Sequence, residues 1–238
     1  MQLDLEDPAE FTASVLSEIS MVKGEMMPLE HYYPKSCSEE VFKALYEGYE
    51  DQMRREKLLD FDDMLSMCYE LFKARPDILS AWQKKYQYIL IDEFQDINRV
   101  QYEIVKMLAR PQNNLFIVGD DDQSIYRFRG ARPELMLGFE KDYPEAERIL
   151  LDINYRSVST ITESAGKVIS NNKTRFPKEI CALRGTGRPV DIRLWPDPVN
   201  ETLAIVSQLR DYAQMGIPYE EIAVLYRTNL GPRLLIEK

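Results

Sequence analysis

The sequence predicts an α/β protein in which a parallel sheet carries polar groups at its strand ends. Short apolar runs at 88–91, 115–118 and 148–151 alternate, beyond residue 86, with stretches of helical periodicity. Apolar runs between helices read as strands buried on both faces, the pattern of a parallel sheet. The runs end in Asp92, Glu93, Asp120, Asp121, Asp122 and Gln123, with Asn154 and Arg156 just past the third. Functional groups of open α/β sheets gather at the carboxyl ends of strands, so this convergence marks a candidate site.

The elements follow in order. Asp7-Pro8-Ala9-Glu10 reads as a capping box, with proline at the first helical position. Phe11, Val15, Ile19 and Val22 then recur on one face. Ser38-Glu39-Glu40 opens a second helix with Val41, Leu45, Tyr49 and Met53 on its stripe. A third starts near Asp60, with Met64, Leu65, Cys68 and Leu71 expected inward. These stripes are core, without a cofactor role. Val100, Ile104 and Leu108 mark a helix between the first two strands. After Asn172 comes a loop-rich stretch, then an expected strand at 190–194, a helix over 202–214 and a buried strand at 222–225. The last group forms a second α/β unit.

Composition narrows the function classes. Hydrophobic residues make up 45% and charged residues 29% of 238, enough apolar surface for a core. No apolar run approaches the roughly 18 residues of a membrane span, and no signal peptide is visible, so a cytoplasmic protein is expected. Cys37, Cys68 and Cys181 lie far apart and, with the single histidine His31, make no metal-ligand spacing. Buried free thiols are the expectation for them. One histidine also argues against Ser/His/Asp chemistry. The net charge is −10. Residues 1–60 carry 14 acidic against 6 basic side chains, 61–150 carry 16 against 12, and 151–238 carry 10 against 12. A phosphate-gripping surface therefore belongs to the back of the chain.

A buried strand ending in adjacent carboxylates can hold Mg²⁺ with the first and orient a water with the second, as Asp92 and Glu93 could. Taken alone, the pair is more often a solvated strand end or a helix N-terminus. Tyr126 and Phe128, taken alone, are more often a packed aromatic pair than a base platform. The wider blocks decide the reading. Ile91-Asp92-Glu93-Phe94-Gln95-Asp96, then Val118–Ala131 with Gly119-Asp120-Asp121-Asp122-Gln123-Ser124-Ile125-Tyr126-Arg127-Phe128-Arg129-Gly130, then Leu151-Asp152-Ile153-Asn154-Tyr155-Arg156-Ser157 resemble motifs II, III and IV of UvrD/Rep/PcrA-like superfamily 1 DNA helicases. Leu59–Leu65 and Ile222–Asn229 are similar to two further blocks of that family.

The resemblance implies a RecA-like motor fold in part. It divides the chain into a helical insertion subdomain over 1–58, part of a first motor domain over 59–157, and a linker with the start of a second motor domain over 158–238. It implies ATP and Mg²⁺ as cofactors and single-stranded or partly duplex DNA as partner. Asp92 would help hold Mg²⁺, and Glu93 would contact it while activating water. Gln123 would sense the γ-phosphate, and Arg156 would act as an arginine finger. Arg129 would brace the nucleotide site. Tyr126 and Phe128 would stack on unpaired bases, which suits a motor indifferent to sequence. Family members often carry Trp at the Phe128 position, so stacking here is expected to be weaker. Arg227, Thr228 and Asn229 would touch the DNA backbone. The implied activity is ATP-driven 3′-to-5′ unwinding in DNA repair or replication.

The sequence contains no G-x-x-x-x-G-K-[ST] phosphate loop. Its one Gly-Lys pair, Gly166-Lys167, is followed by Val168, and Ile161 stands where the first glycine belongs. The expectation is an internal segment of a longer motor or a truncated product, inactive as an ATPase alone. A strand edge left open by the missing loop would favour self-association. The alternatives are the motor of a helicase–nuclease subunit, a non-catalytic binding module derived from a helicase, and a metal-dependent phosphohydrolase using Asp92 with Asp120–Asp122. The last leaves Gln123, Tyr126, Phe128 and Arg156 without a role.

Overall fold

The computed structural model of the protein describes residues 7–125, 130–226 and 233–236. The chain forms two compact units, one of Met1–Asp152 with Gly166–Ile180, the other of Ile153–Ala165 with Cys181–Lys238.

The first unit begins with four helices, α1 (Pro8–Gly24), α2 (Glu39–Glu56), α3 (Phe61–Ala74) and α4 (Pro76–Lys85). Asp7 caps α1, its carboxylate accepting from the Ala9 and Glu10 N–H groups, and Pro8 needs no donor in that turn. Ser38 caps α2 by accepting from the Val41 N–H. Asp60 and Asp63 form a reciprocal capping box at the start of α3. The expected stripe of α1 is the heart of the helical core. Val15, Ile19 and Val22 are buried with Phe42 of α2, and Phe11, Leu45, Tyr46 and Tyr49 pack around them. Phe42, only 1% exposed, is a core residue that the periodicity of α2 did not single out.

On α3 the expected inward face is rotated. Met64 and Leu71 are 55% and 43% exposed, whereas Phe72 is buried. Lys23 of α1 accounts for this, because it draws Asp60 and Asp63 of the α3 start to itself at 2.9 and 2.6 Å. A buried ammonium needs those partners more than the core needs two more apolar side chains.

Strand β1 (Ile89–Ile91), helix α5 (Arg99–Ala109) and strand β2 (Leu115–Ile117) make a β–α–β unit. The strands are parallel, with Ile89 opposite Leu115, Leu90 opposite Phe116 and Ile91 opposite Ile117. Asn98 caps α5 through a second capping box with Gln101. Val100, Tyr102 and Ala109 are its buried residues. Phe94, wholly buried after β1, meets the edges of Tyr102 and Phe139 with ring centroids 5.7 Å apart in each case. Two short helices, α6 (Pro133–Leu137) and α7 (Phe139–Asp142), follow, and α6 packs on the turn after β1.

The second unit also holds a parallel pair, β3 (Ile153–Asn154) and β4 (Cys181–Ala182), with helix α8 (Ser159–Ile169) between them in sequence. Helix α9 (Pro198–Gln214) begins four residues ahead of the expected start, because Asp197 caps it and Pro198 enters its first turn. Helix α10 (Arg233–Ile236) packs against it.

Three expected strands do not form. Residues 148–151, 190–194 and 222–225 have no ladder. Ile149, Leu151, Ile192, Leu194 and Leu225 are between 72% and 94% exposed. An apolar run has the capacity to be a strand, but only a neighbour offering its own N–H and C=O groups makes it one. The thiols also differ from expectation. Cys37 and Cys68 are half-buried, and Cys181 is exposed. The architecture is thus mixed α/β, mostly helical, with short parallel strands.

Candidate functional site

The site is built where β1 and β2 end side by side. Asp92 and Glu93 follow β1 directly, and both are exposed. One Asp92 carboxylate oxygen accepts the Glu93 N–H at 2.9 Å. Glu93 itself sits at φ 51°, in the left-handed region. That conformation costs a residue with a Cβ on the order of 1 kcal/mol, and such strain gathers at functional positions.

Gln95 joins the two strand ends. Its side chain is 1% exposed, yet each end of the carboxamide is satisfied. Its NH₂ donates to Glu93 Oε2 at 2.7 Å, and its oxygen accepts the Asp120 N–H at 2.9 Å. Gly119 makes room for this bridge. A Cβ at that position would stand 2.5 Å from Gln95 Oε1 and 3.1 Å from the Phe94 nitrogen. Gln95 stood without a role in the sequence, although an amide two residues past the Asp92-Glu93 pair was a legible signal.

Past β2, Asp120 caps a 3₁₀ turn over Asp121–Gln123. Gln123 is exposed, and its NH₂ donates to Asp120 Oδ2 at 3.0 Å. Burial alone would raise the Asp120 carboxyl, but hydrogen bonds from Lys178 and Gln123 outweigh it and hold the group below its usual range. Asp92, Glu93 and Gln123 are therefore brought together by one hydrogen-bonded path through Gln95 and Asp120. Arg156 belongs to the second unit. It is exposed, its N–H donating to Asn154 Oδ1 at 3.0 Å and its carbonyl accepting from Arg184 at 2.9 Å. Tyr126, Phe128, Arg129, Arg227, Thr228 and Asn229 lie outside the described residues.

The donor set fits Mg²⁺. Two exposed carboxylates at one strand end are hard oxygen ligands, and Mg²⁺ commonly takes only one or two from protein, the rest being water and phosphate. When bound, the ion would neutralise charge on the terminal phosphate oxygens of a nucleotide. Gln95 holds Glu93 by its Oε2. Asp120, Asp121 and Asp122 are engaged otherwise. Lys178 pairs with all three, and Arg175 grips Asp122 through two hydrogen bonds of 2.7 and 2.6 Å. The phosphohydrolase alternative needs those aspartates as metal ligands. Among the described residues, no group of three or more His, Cys, Asp and Glu side chains is arranged to hold a metal ion.

A parallel β–α–β unit with Asp-Glu and Asp-Asp-Asp-Gln past its neighbouring strand ends is consistent with part of a RecA-like helicase domain. The chain belongs to the UvrD/REP helicase family. The UvrD/REP helicase N-terminal domain matches residues 4–144, and the UvrD-like helicase C-terminal domain matches residues 149–238. Among its relatives, YjcD of Bacillus subtilis is 47% identical over 224 residues, which are 94% of this chain and 29% of that protein. The ATP-dependent DNA helicase PcrA of Staphylococcus aureus is 42% identical over 194 residues, 82% of this chain and 27% of its own. PcrA of Leuconostoc citreum is 37% identical over 229 residues, 94% of this chain and 30% of its own. The chain spans less than a third of the length of these relatives. Among the described residues, no helix is long and apolar enough to cross a membrane.

Proposed function

We propose that this chain is the Walker B-bearing segment of an ATP-dependent DNA helicase that moves 3′-to-5′ on single-stranded DNA in repair or replication in the cytoplasm. The observation that supports it most is the Gln95 bridge, which ties the Glu93 carboxylate to the Asp120–Gln123 turn on the neighbouring strand. Asp92 would hold Mg²⁺, and Glu93 beside it is the base that draws the proton from the attacking water. Gln123 reads the γ-phosphate, and Arg156 supplies the transition state with positive charge. Arg129 braces the nucleotide. Tyr126 and Phe128 stack on bases, and Arg227, Thr228 and Asn229 follow the DNA backbone. The division into a helical part over 1–58, a first motor part over 59–157 and a second over 158–238 belongs to the same reading.

By itself the chain is expected to turn over no ATP, because its sequence has no loop of backbone N–H groups to cradle phosphates. The test is a chimera in which this chain replaces the matching stretch of YjcD. Turnover stimulated by single-stranded DNA, cut at least about 100-fold by Glu93→Gln, is expected of a lost catalytic base. A chimera whose turnover ignores Glu93→Gln would remove Glu93 from the reaction. Turnover by the isolated chain would refute its inactivity. A chain that binds single-stranded DNA while the chimera stays inert would favour the second reading, a binding module derived from a helicase.

Self-association of the chain is part of the proposal. Leu90 and Phe116, opposite each other in the sheet, are 73% and 57% exposed, with Tyr88 74% exposed beside them. Apolar surface next to a strand edge favours pairing with a second copy. Light scattering is expected to give a mass that rises with concentration, and a constant monomer mass would defeat the idea.

A further inference from the structure

The Asp120–Gln123 turn does not stand alone. Residues 175–178, far along the chain, close over it as a strap. Arg175 takes both oxygens of Asp122 at 2.7 and 2.6 Å. The Phe176 N–H donates to Asp121 Oδ2 at 2.8 Å, and the Arg148 guanidinium lies over the Phe176 ring, 4.8 Å from its centroid. Lys178, with 8% of its side chain exposed, donates to Asp120 Oδ1 at 2.7 Å and to Asp121 Oδ1. Asp121 is 4% exposed, and an ionised carboxylate so deeply buried persists only when it is paired.

The consequence reaches the site. Asp120 accepts from Lys178 with one oxygen and from the Gln123 carboxamide with the other, while its own N–H donates to Gln95, which in turn holds Glu93. Lys178 therefore stands at the root of a hydrogen-bonded path whose two branches end on Gln123 and Glu93. Without its ammonium, three adjacent carboxylates would repel one another and the turn would open.

We propose that Lys178, seconded by Arg175, is a positioning residue that sets the orientation of Gln123 and Glu93 for the hydrolysis reaction. The assignment rests on the functional reading above for its purpose, but its geometry can be tested without any nucleotide. In the 238-residue chain, ¹⁵N spectra resolve glutamine side-chain NH₂ groups, and Gln123→Ala and Gln95→Ala identify those two. Lys178→Met keeps the aliphatic stem and removes the charge. It is expected to shift both NH₂ signals and to raise the Asp120 carboxyl titration, read by ¹³C, toward or above its ordinary 3.8. Lys178→Arg is expected to restore most of both. Signals and titration unchanged in a folded Lys178→Met would overturn the proposal. Should Lys178→Met fail to fold, Arg175→Met in the same spectra takes its place, with smaller shifts expected at Gln123 and none counting against the strap.

The YjcD chimera separates the two claims. Lys178→Met is expected to lower kcat about 10-fold or more with little change in KM, and Lys178→Arg to recover part of it, as for a group that positions others in the transition state. If Glu93→Gln abolishes turnover while Lys178→Met matches wild type, the positioning role falls alone. If Glu93→Gln leaves turnover intact, the hydrolysis reading falls, whatever the spectra show.

Discussion

Two buried lysines of the first unit are surrounded by carboxylates, and they serve different ends. Lys23 on α1 pairs with Glu50 of α2 at 2.7 Å, with Asp60 at the start of α3 at 2.9 Å and with Asp63 at 2.6 Å. The Tyr49 ring lies 5.1 Å from its ammonium, and the Tyr49 hydroxyl donates to Asp60. Every partner of Lys23 is on a helix or its cap, and the cluster stitches α1, α2 and α3 together. Lys178 also meets three acids, but they stand at the carboxyl end of β2, and one of them holds Gln123. The chemistry of the clusters is nearly the same. What distinguishes them is the element on which the acids sit, so an ion cluster points to a function only when it ends on groups that can meet a ligand.

The largest expected effect breaks the structural cluster. Lys23→Met leaves three carboxylates facing one another between helices, and the loss of folding stability is expected to be on the order of 3 kcal/mol. That is the low end for a buried pair, because Glu50 and Asp60 keep 30% and 23% of their side-chain exposure. Urea unfolding measures it. The glutamine NH₂ signals of Gln95 and Gln123 are expected to stay in place, since no bond of the Lys23 cluster reaches them. A shift there would erase the distinction between the clusters.

A smaller effect, in pH, sharpens it. Hydrogen bonds from Lys23, the Asp63 backbone and Tyr49 overcome the burial that would raise Asp60, and its carboxyl lies below the ordinary 3.8. A depressed acid contributes stability above 3.8 that is lost as pH falls through its lower folded value. Asp120 follows the same sign. Lys23 works from the other side. Burial lowers an ammonium, but Asp63, Glu50 and Asp60 together hold it well above 10.5, so its contribution is complete below 10.5 and is lost only as pH rises through the raised value. The wild type is therefore expected to weaken below pH 3.8. The stability gap between it and Lys23→Met is expected to shrink over the same range, because Asp60 is held below 3.8 with the help of the lysine. A gap independent of pH would show that the lysine contributes packing alone.

The helical part was the most legible from sequence, since Asp7, Ser38 and Asp60 announce helix starts through local hydrogen bonds that need no distant partner. The same holds for β1 and β2, whose apolar runs found each other across α5. The runs at 148–151, 190–194 and 222–225 looked equally strand-like and formed none. A strand is a property of a pair, and nothing within a run declares whether a neighbour will come. The rotation of α3 was hidden for a related reason, because Lys23 lies 37 residues or more from the acids that turn the helix toward it.

The sequence by itself determined the family, the starts of α1, α2 and α3 and the candidate groups Asp92, Glu93 and Gln123, because all of these are written in short contiguous blocks. Only the tertiary structure decided that Gln95 bridges two strand ends, that Gly119 must be bare to admit it, and that Lys178 and Arg175 close over Asp120–Asp122. Those contacts join residues up to 58 positions apart. Periodicity and local motifs report what a segment offers, whereas the pairing of buried charge is settled only when folding removes water and each ionised group must find its partner.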